Sequence, residues 1–187
     1  MARIQSSGYR SRSQASYGYG RYSFIPTREI IQEADFTRLA SLGGLAGIAP
    51  INQFFLPEKL NSIKSLRIAA ARLKADILLV YTFQTSFQVG KQQFAPLNVI
   101  SLGFLNNKKV SVTTTVTSAF FDVRTEYLYG VTEATHTEIS HASVWNDDKV
   151  VDALRLKTEK KSFAKLMPSM EKTWQGIVSE YQVKKVE

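Results

Sequence analysis

The stretch LRIAAARLKADILLVYTF, residues 66–83, constrains the fold more than any other part of the chain. Ile63, Leu66, Ala69, Ala70 and Leu73 recur at helical spacing, Asn61 or Ser62 is placed to cap the first turn, and Arg67 and Lys74 point outward. The alanines at 69–71 let such a helix lie close on a sheet. Asp76 then leads into ILLVYTFQT (77–85), which is apolar on both faces in its first half, the pattern of a central strand. A helix that runs directly into a buried strand belongs to a layered α/β or α+β fold.

The next long pattern has period two. In KVSVTTTVTSAFF (109–121), Val110, Val112, Val116 and Phe120 fall on one face, and Ser111, Thr113, Thr115 and Thr117 on the other. EYLYGVTEATHTEIS (126–140) continues the strand pattern, so the two runs predict a hairpin with a threonine-rich face open to water or lightly covered. The apolar run APLNVISLGFL (95–105) reads either as a strand turning through Asn106-Asn107 or as a membrane-dipping or partner-binding loop.

Helical spacing returns at both ends. From Thr27, placed as an N-cap, Ile30, Ile31, Ala34, Leu39 and Leu42 share a face that ends at Gly43-Gly44. LAGIAPI (45–51) then reads as a short strand. After Asn146 or Asp147, Val150, Val151, Leu154, Phe163, Leu166, Met170, Trp174, Ile177 and Tyr181 form a helical core stripe to the C-terminus. Pro168 lies inside it and must kink or divide the helix, since proline removes a donor and crowds the preceding turn. Lys157, Lys160, Lys161, Lys165 and Lys172 form a basic outer face.

Charge is unevenly placed. Half of the net +8 comes from Arg3, Arg10, Arg12 and Arg21, in a stretch without a single acid. Residues 1–25 are rich in Ser, Gly, Tyr and Arg and lack a hydrophobic period, so they read as a flexible tail ahead of one domain at 26–187. Such a tail suits either a tether or a nucleic-acid-binding segment. With no cysteine among its 187 residues, the chain has no disulfide, thiolate metal site or cysteine nucleophile. No run approaches the about 18–20 apolar residues that span a bilayer, and the first 22 residues lack the apolar core of a signal peptide.

Two polar clusters invite a catalytic reading. Asp122, Arg124 and Glu126 crowd the junction of the hairpin, where Asp122 can cap an Asx-turn, Thr125 can do similar work, and Arg124 stands at the tip. Nothing there sets a nucleophile against a base. Glu133, His136, Glu138 and His141 resemble a metal-ligand string, yet Glu133 and His136, like His136 and His141, are an odd number apart and diverge on a strand. No nucleophile elbow, phosphate loop, dinucleotide fingerprint or zinc-protease motif is present. The reading therefore assigns no catalytic, cofactor-binding or metal residue.

LRIAAARLKADILLVYTF resembles the helix–Asp–strand unit of TolB-N-like and CsgG-like bacterial envelope domains, and FFDVRTEYLYG resembles their hairpin, usually strand–Asp–x–x–Thr–Gly–strand. Glu126 stands where that hairpin usually has glycine, so a positive φ there would cost about 1–2 kcal/mol. With PLNVISLGF, EAT and a final helix bearing tryptophan, residues 28–180 are similar to uncharacterised bacterial envelope lipoproteins, including the rhombotarget type. The resemblance implies a leader and lipidated cysteine replaced here by Met1, and it carries no catalytic residues.

The expectation is an α+β domain, a two-layer sandwich of a mixed, mostly antiparallel sheet covered by helices on one side, with a long C-terminal helix kinked near Pro168. Its expected role is a non-enzymatic, cofactor-free interaction or assembly module, periplasmic or membrane-anchored, that binds other envelope proteins or itself. A native start at Met1 would instead make it cytoplasmic. The rival expectation is a cytoplasmic nucleic-acid-binding protein using the Arg/Tyr tail and the lysine face; a hydrolase would need Asp122, Glu133 and a histidine in one deep pocket.

Overall fold

The computed structural model describes residues 1–6, 16–25, 30–89, 92–94, 109–141 and 148–181. Strands β1 (Ala2–Ser6), β2 (Tyr22–Ile25), β3 (Ile77–Val89), β5 (Lys109–Asp122) and β6 (Leu128–His141) form one mixed sheet in the order β2-β1-β3-β5-β6. The short β4 (Gln92–Phe94) pairs with the far end of β3. Among the described residues, these strands pair antiparallel except β1 with β3. Three α-helices, α1 (Glu33–Ala40), α2 (Lys64–Arg72) and the 34-residue α3 (Asp148–Tyr181), complete an α+β fold.

Alternation along β3 divides the core. Leu79, Tyr81 and Phe83 pack with Phe163, Leu166, Met170 and Trp174 of α3 and with Leu39 of α1. Leu78 and Val80, on the opposite face, pack with Leu66, Ala69 and Ala70 of α2. Helices therefore flank both faces at one end of the sheet rather than one side only, and Ala69 and Ala70 serve the close approach their size suggested. On the α3 side, a Cβ at Gly130 would lie 2.8 Å from the Thr173 methyl, so glycine lets the long helix settle onto β6. Helix α3 runs unbroken through Pro168. Pro168 and Ala164, whose carbonyl loses its donor, are both exposed, so water can satisfy the freed acceptor.

At residues 1–6 and 16–25, the described part of the N-terminal stretch, the structure departs from the expectation of a flexible tail. Residues 2–6 form an interior strand, and Tyr22–Ile25 form its outer neighbour. Ala2, Ile4, Phe24 and Ile25 are buried. Arg3 is only 1% exposed; its guanidinium donates to Glu159 of α3 at 3.1 Å and lies over the Phe83 ring. Glu159 also pairs with Arg155 at 2.7 Å, and Arg155 with Asp152 at 2.9 Å. A partner 156 residues away neutralises the charge that made this segment read as solvated.

Smaller differences follow from local chemistry. Helix α1 starts at Glu33, where the Gln32 amide donates to the Asp35 carboxylate at 2.9 Å, and Ile30 and Ile31 are buried ahead of it. Thr27 lies outside the described residues, as does the segment 95–105. Residues 45–51 are not a strand: β1 occupies the place beside β3, and Pro50 has no amide to donate. The N-cap of α2 is Ile63, without a side-chain cap, and not Asn61 or Ser62; Ser62, one residue earlier, accepts the Lys64 amide at 3.3 Å.

Candidate functional site

The corner between β5 and β6 is a hydrogen-bonded turn. Asp122 Oδ1 accepts the Arg124 and Thr125 amides at 2.8 and 2.6 Å, and its Oδ2 accepts the Tyr129 hydroxyl at 3.1 Å. These donors, the Thr125 amide foremost, hold the Asp122 carboxyl below its ordinary range. Thr125 Oγ1 accepts the Tyr127 amide at 3.3 Å, and Arg124 is exposed. The Asx-turn reading of Asp122 is thus correct. Both carboxylate oxygens accept hydrogen bonds within the hairpin corner.

Arg67 was expected to face water. Instead its Nε donates to the Val123 carbonyl at 3.0 Å, its Nη2 to the Arg124 carbonyl at 2.7 Å, and its Nη1 to the Glu126 carboxylate. Glu126 sits at φ 68°, the left-handed conformation that glycine would adopt without strain. No sequence signal marked this clamp, because helix and corner are 59 residues apart.

Tyr127, Tyr129 and Tyr181 form a cluster at the same end, with ring centroids 5.0–6.2 Å apart and edge-to-face geometry. The Tyr127 and Tyr181 hydroxyls are 3.1 Å apart. That hydrogen bond raises the Tyr181 hydroxyl to about 12. Burial and the Asp122 contact raise that of Tyr129. Tyr181 is therefore the exposed end of the α3 stripe and not part of its core. With Asp122, Thr125 and Glu126 these rings line a shallow, open depression rather than an enclosed pocket.

The histidine string separates as strand geometry requires. Glu133 accepts the Thr117 hydroxyl at 3.1 Å on one face, while His136 lies on the other with Glu138, 3.1 Å from its carboxylate. That Glu138 shares the face of His136 follows from their spacing of two, a signal the sequence reading passed over. Glu138 also receives Lys161 and, at 3.8 Å, Lys157, and these cations with His136 lower it to about 2. The His141 side chain lies outside the described residues. Among the described residues, no three metal-ligating side chains converge. Part of the lysine face is thus engaged with β6: Lys165 Nζ reaches the Thr135 carbonyl at 3.4 Å. In the basic N-terminal stretch Arg3 is buried, while Arg21, 5.6 Å over the Tyr22 ring, stays exposed, so the nucleic-acid expectation loses Arg3 from its cationic surface.

The hairpin face turned away from α3 is polar and partly exposed. Thr113 meets Thr137 and Thr115 meets Thr135, each pair of hydroxyls 2.9 Å apart. Gln84 and Ser86 continue this polar face onto β3. On β6, at the sheet edge, Val131 and Ile139 are 53% and 58% exposed. The chain matches no protein-family model, no curated protein and no solved structure.

Proposed function

We propose that the chain is a non-enzymatic interaction or assembly module of the bacterial cell envelope, of the lipoprotein type to which the sequence shows resemblance, and that it self-associates through β6. One observation supports the self-association. β6 is a 14-residue edge strand, and among the described residues it pairs only with β5. Such an edge offers a row of backbone donors and acceptors to another strand. Of the side chains at 131, 133, 135, 137 and 139 only Glu133 is charged, so charge repels a partner weakly. Two copies pairing antiparallel through β6 would form a closed twofold contact.

Sedimentation velocity tests the assembly part. The wild-type chain should associate with rising concentration, and Val131→Lys/Ile139→Lys, two changes at exposed positions, should remain monomeric with an unchanged melting curve. A wild-type protein monomeric at its highest soluble concentration overturns self-association. Fractionation of cells expressing the complete native gene tests the compartment: recovery with the envelope supports the reading, and recovery in the cytosol overturns it.

A further inference from the structure

Well-packed interiors hold few voids larger than a water molecule. Here a cavity of about 430 Å³ lies between the 42–51 segment, the end of α2, the start of β3 and α3. It opens to solvent, and its volume is roughly three times the ~150 Å³ that suffices to hold benzene. Its wall is aliphatic and aromatic, with Leu39, Leu42, Ile48, Leu79, Phe120 and Trp174 prominent. Two polar groups of this wall have hydrogen-bond partners. Trp174 Nε1 donates to the Gly43 carbonyl at 2.9 Å, and the Ala49 carbonyl accepts the Met1 nitrogen at 2.7 Å. The greater part of the exposed lining is apolar, so a hydrocarbon chain suits it.

One charged side chain breaks the pattern. Lys74 lines the cavity and is exposed, so the cavity meets solvent beside a lysine; among the described residues no Asp or Glu lies on the wall. Its backbone is also unusual. Lys74 follows α2 at φ 57°, with its amide on the Ala71 carbonyl at 2.9 Å and the Ala75 amide on the Ala70 carbonyl at 3.1 Å. This helix closure favours glycine, which adopts the left-handed conformation without strain. A strained lysine at the mouth of an apolar cavity joins two independent observations, one conformational and one electrostatic.

We propose that this cavity binds a single-chain amphiphile with an anionic head: the hydrocarbon chain occupies the cavity and the head pairs with Lys74. This site is separate from the β6 edge, and the inference does not depend on self-association.

Trp174 lies on the wall and reports occupancy. In a Trp145→Phe background it is the sole indole of the chain. Titration below micelle formation would use dodecanoate, dodecyl phosphate, dodecanol and dodecyltrimethylammonium. The two anions should give a saturable change in Trp174 emission and bind roughly fivefold more tightly than the cation, the scale of one partly exposed charge contact. The stronger of the two anions identifies the head as carboxylate or phosphate. Lys74→Glu, an exposed change checked by its melting curve, should abolish or invert the preference. Absence of saturable binding overturns the site. Equal binding of all four heads, or a preference unchanged in Lys74→Glu, overturns the role of Lys74.

Discussion

Arg67 of α2 holds the Glu126 carboxylate, and the same guanidinium donates to two carbonyls of the turn that Glu126 closes. The corner is thereby fastened to a helix on the far side of β3, at the residue where the backbone is strained. Strain and restraint meet at one position, so the two can be separated by mutation.

Arg67→Ala should destabilise the domain by about 1–3 kcal/mol, because the half-buried Val123 carbonyl loses its donor and the Arg124 carbonyl is left to water. Urea denaturation measures the loss, and hydrogen exchange should show the greatest loosening at residues 123–127. A protein as stable as wild type would mean the clamp contributes nothing.

Glu126→Gly should be neutral or stabilising by up to about 1 kcal/mol. Relief of left-handed strain, about 1–2 kcal/mol, outweighs an ion pair whose carboxylate side is 52% exposed and therefore weak. Glycine's added freedom in the unfolded chain takes back part of the gain. A clear loss in thermal stability would show that the ion pair, and not the carbonyl contacts, carries the clamp.

Glu138 titrates at about 2 in the folded protein against an ordinary 4.5, chiefly through its contact with Lys161, then His136. A lowered carboxylate stabilises the fold above its unfolded value and loses that contribution as pH falls through its folded value. Wild type should therefore exceed Glu138→Gln by about 1 kcal/mol near neutrality, after allowance for solvent screening. The gap should close between about pH 4.5 and 2. A gap independent of pH across that window would contradict the assignment.

Glu159→Ala should cost about 3–5 kcal/mol, since it takes the carboxylate partner from the buried Arg3 and one partner from the buried Arg155, which keeps Asp152. Replacing Arg3, Arg155 and Glu159 together with methionine should restore most of that stability, because the desolvation of the ions disappears with them. Chemical denaturation of the two variants checks both statements. Failure of the triple replacement to recover would show that the charged network sets the position of β1.

Local periodicity was sufficient for much of this protein. The two-residue alternation from Val110 to Phe120 determined which side chains enter the core. The helical spacing of Phe163, Leu166, Met170, Trp174 and Ile177 determined the buried stripe of α3, and Asp122 announced its turn. These are near-neighbour effects, set by rotation per residue and by hydrogen bonds two or three positions away. Tertiary structure alone decided the rest: the insertion of β1 beside β3, the burial of Arg3 against Glu159, the grip of Arg67 on the corner and the cavity under Lys74. Each depends on groups far apart in the chain. A charge reads as solvated until the fold supplies its counter-charge, and a void exists only once several elements have packed around it.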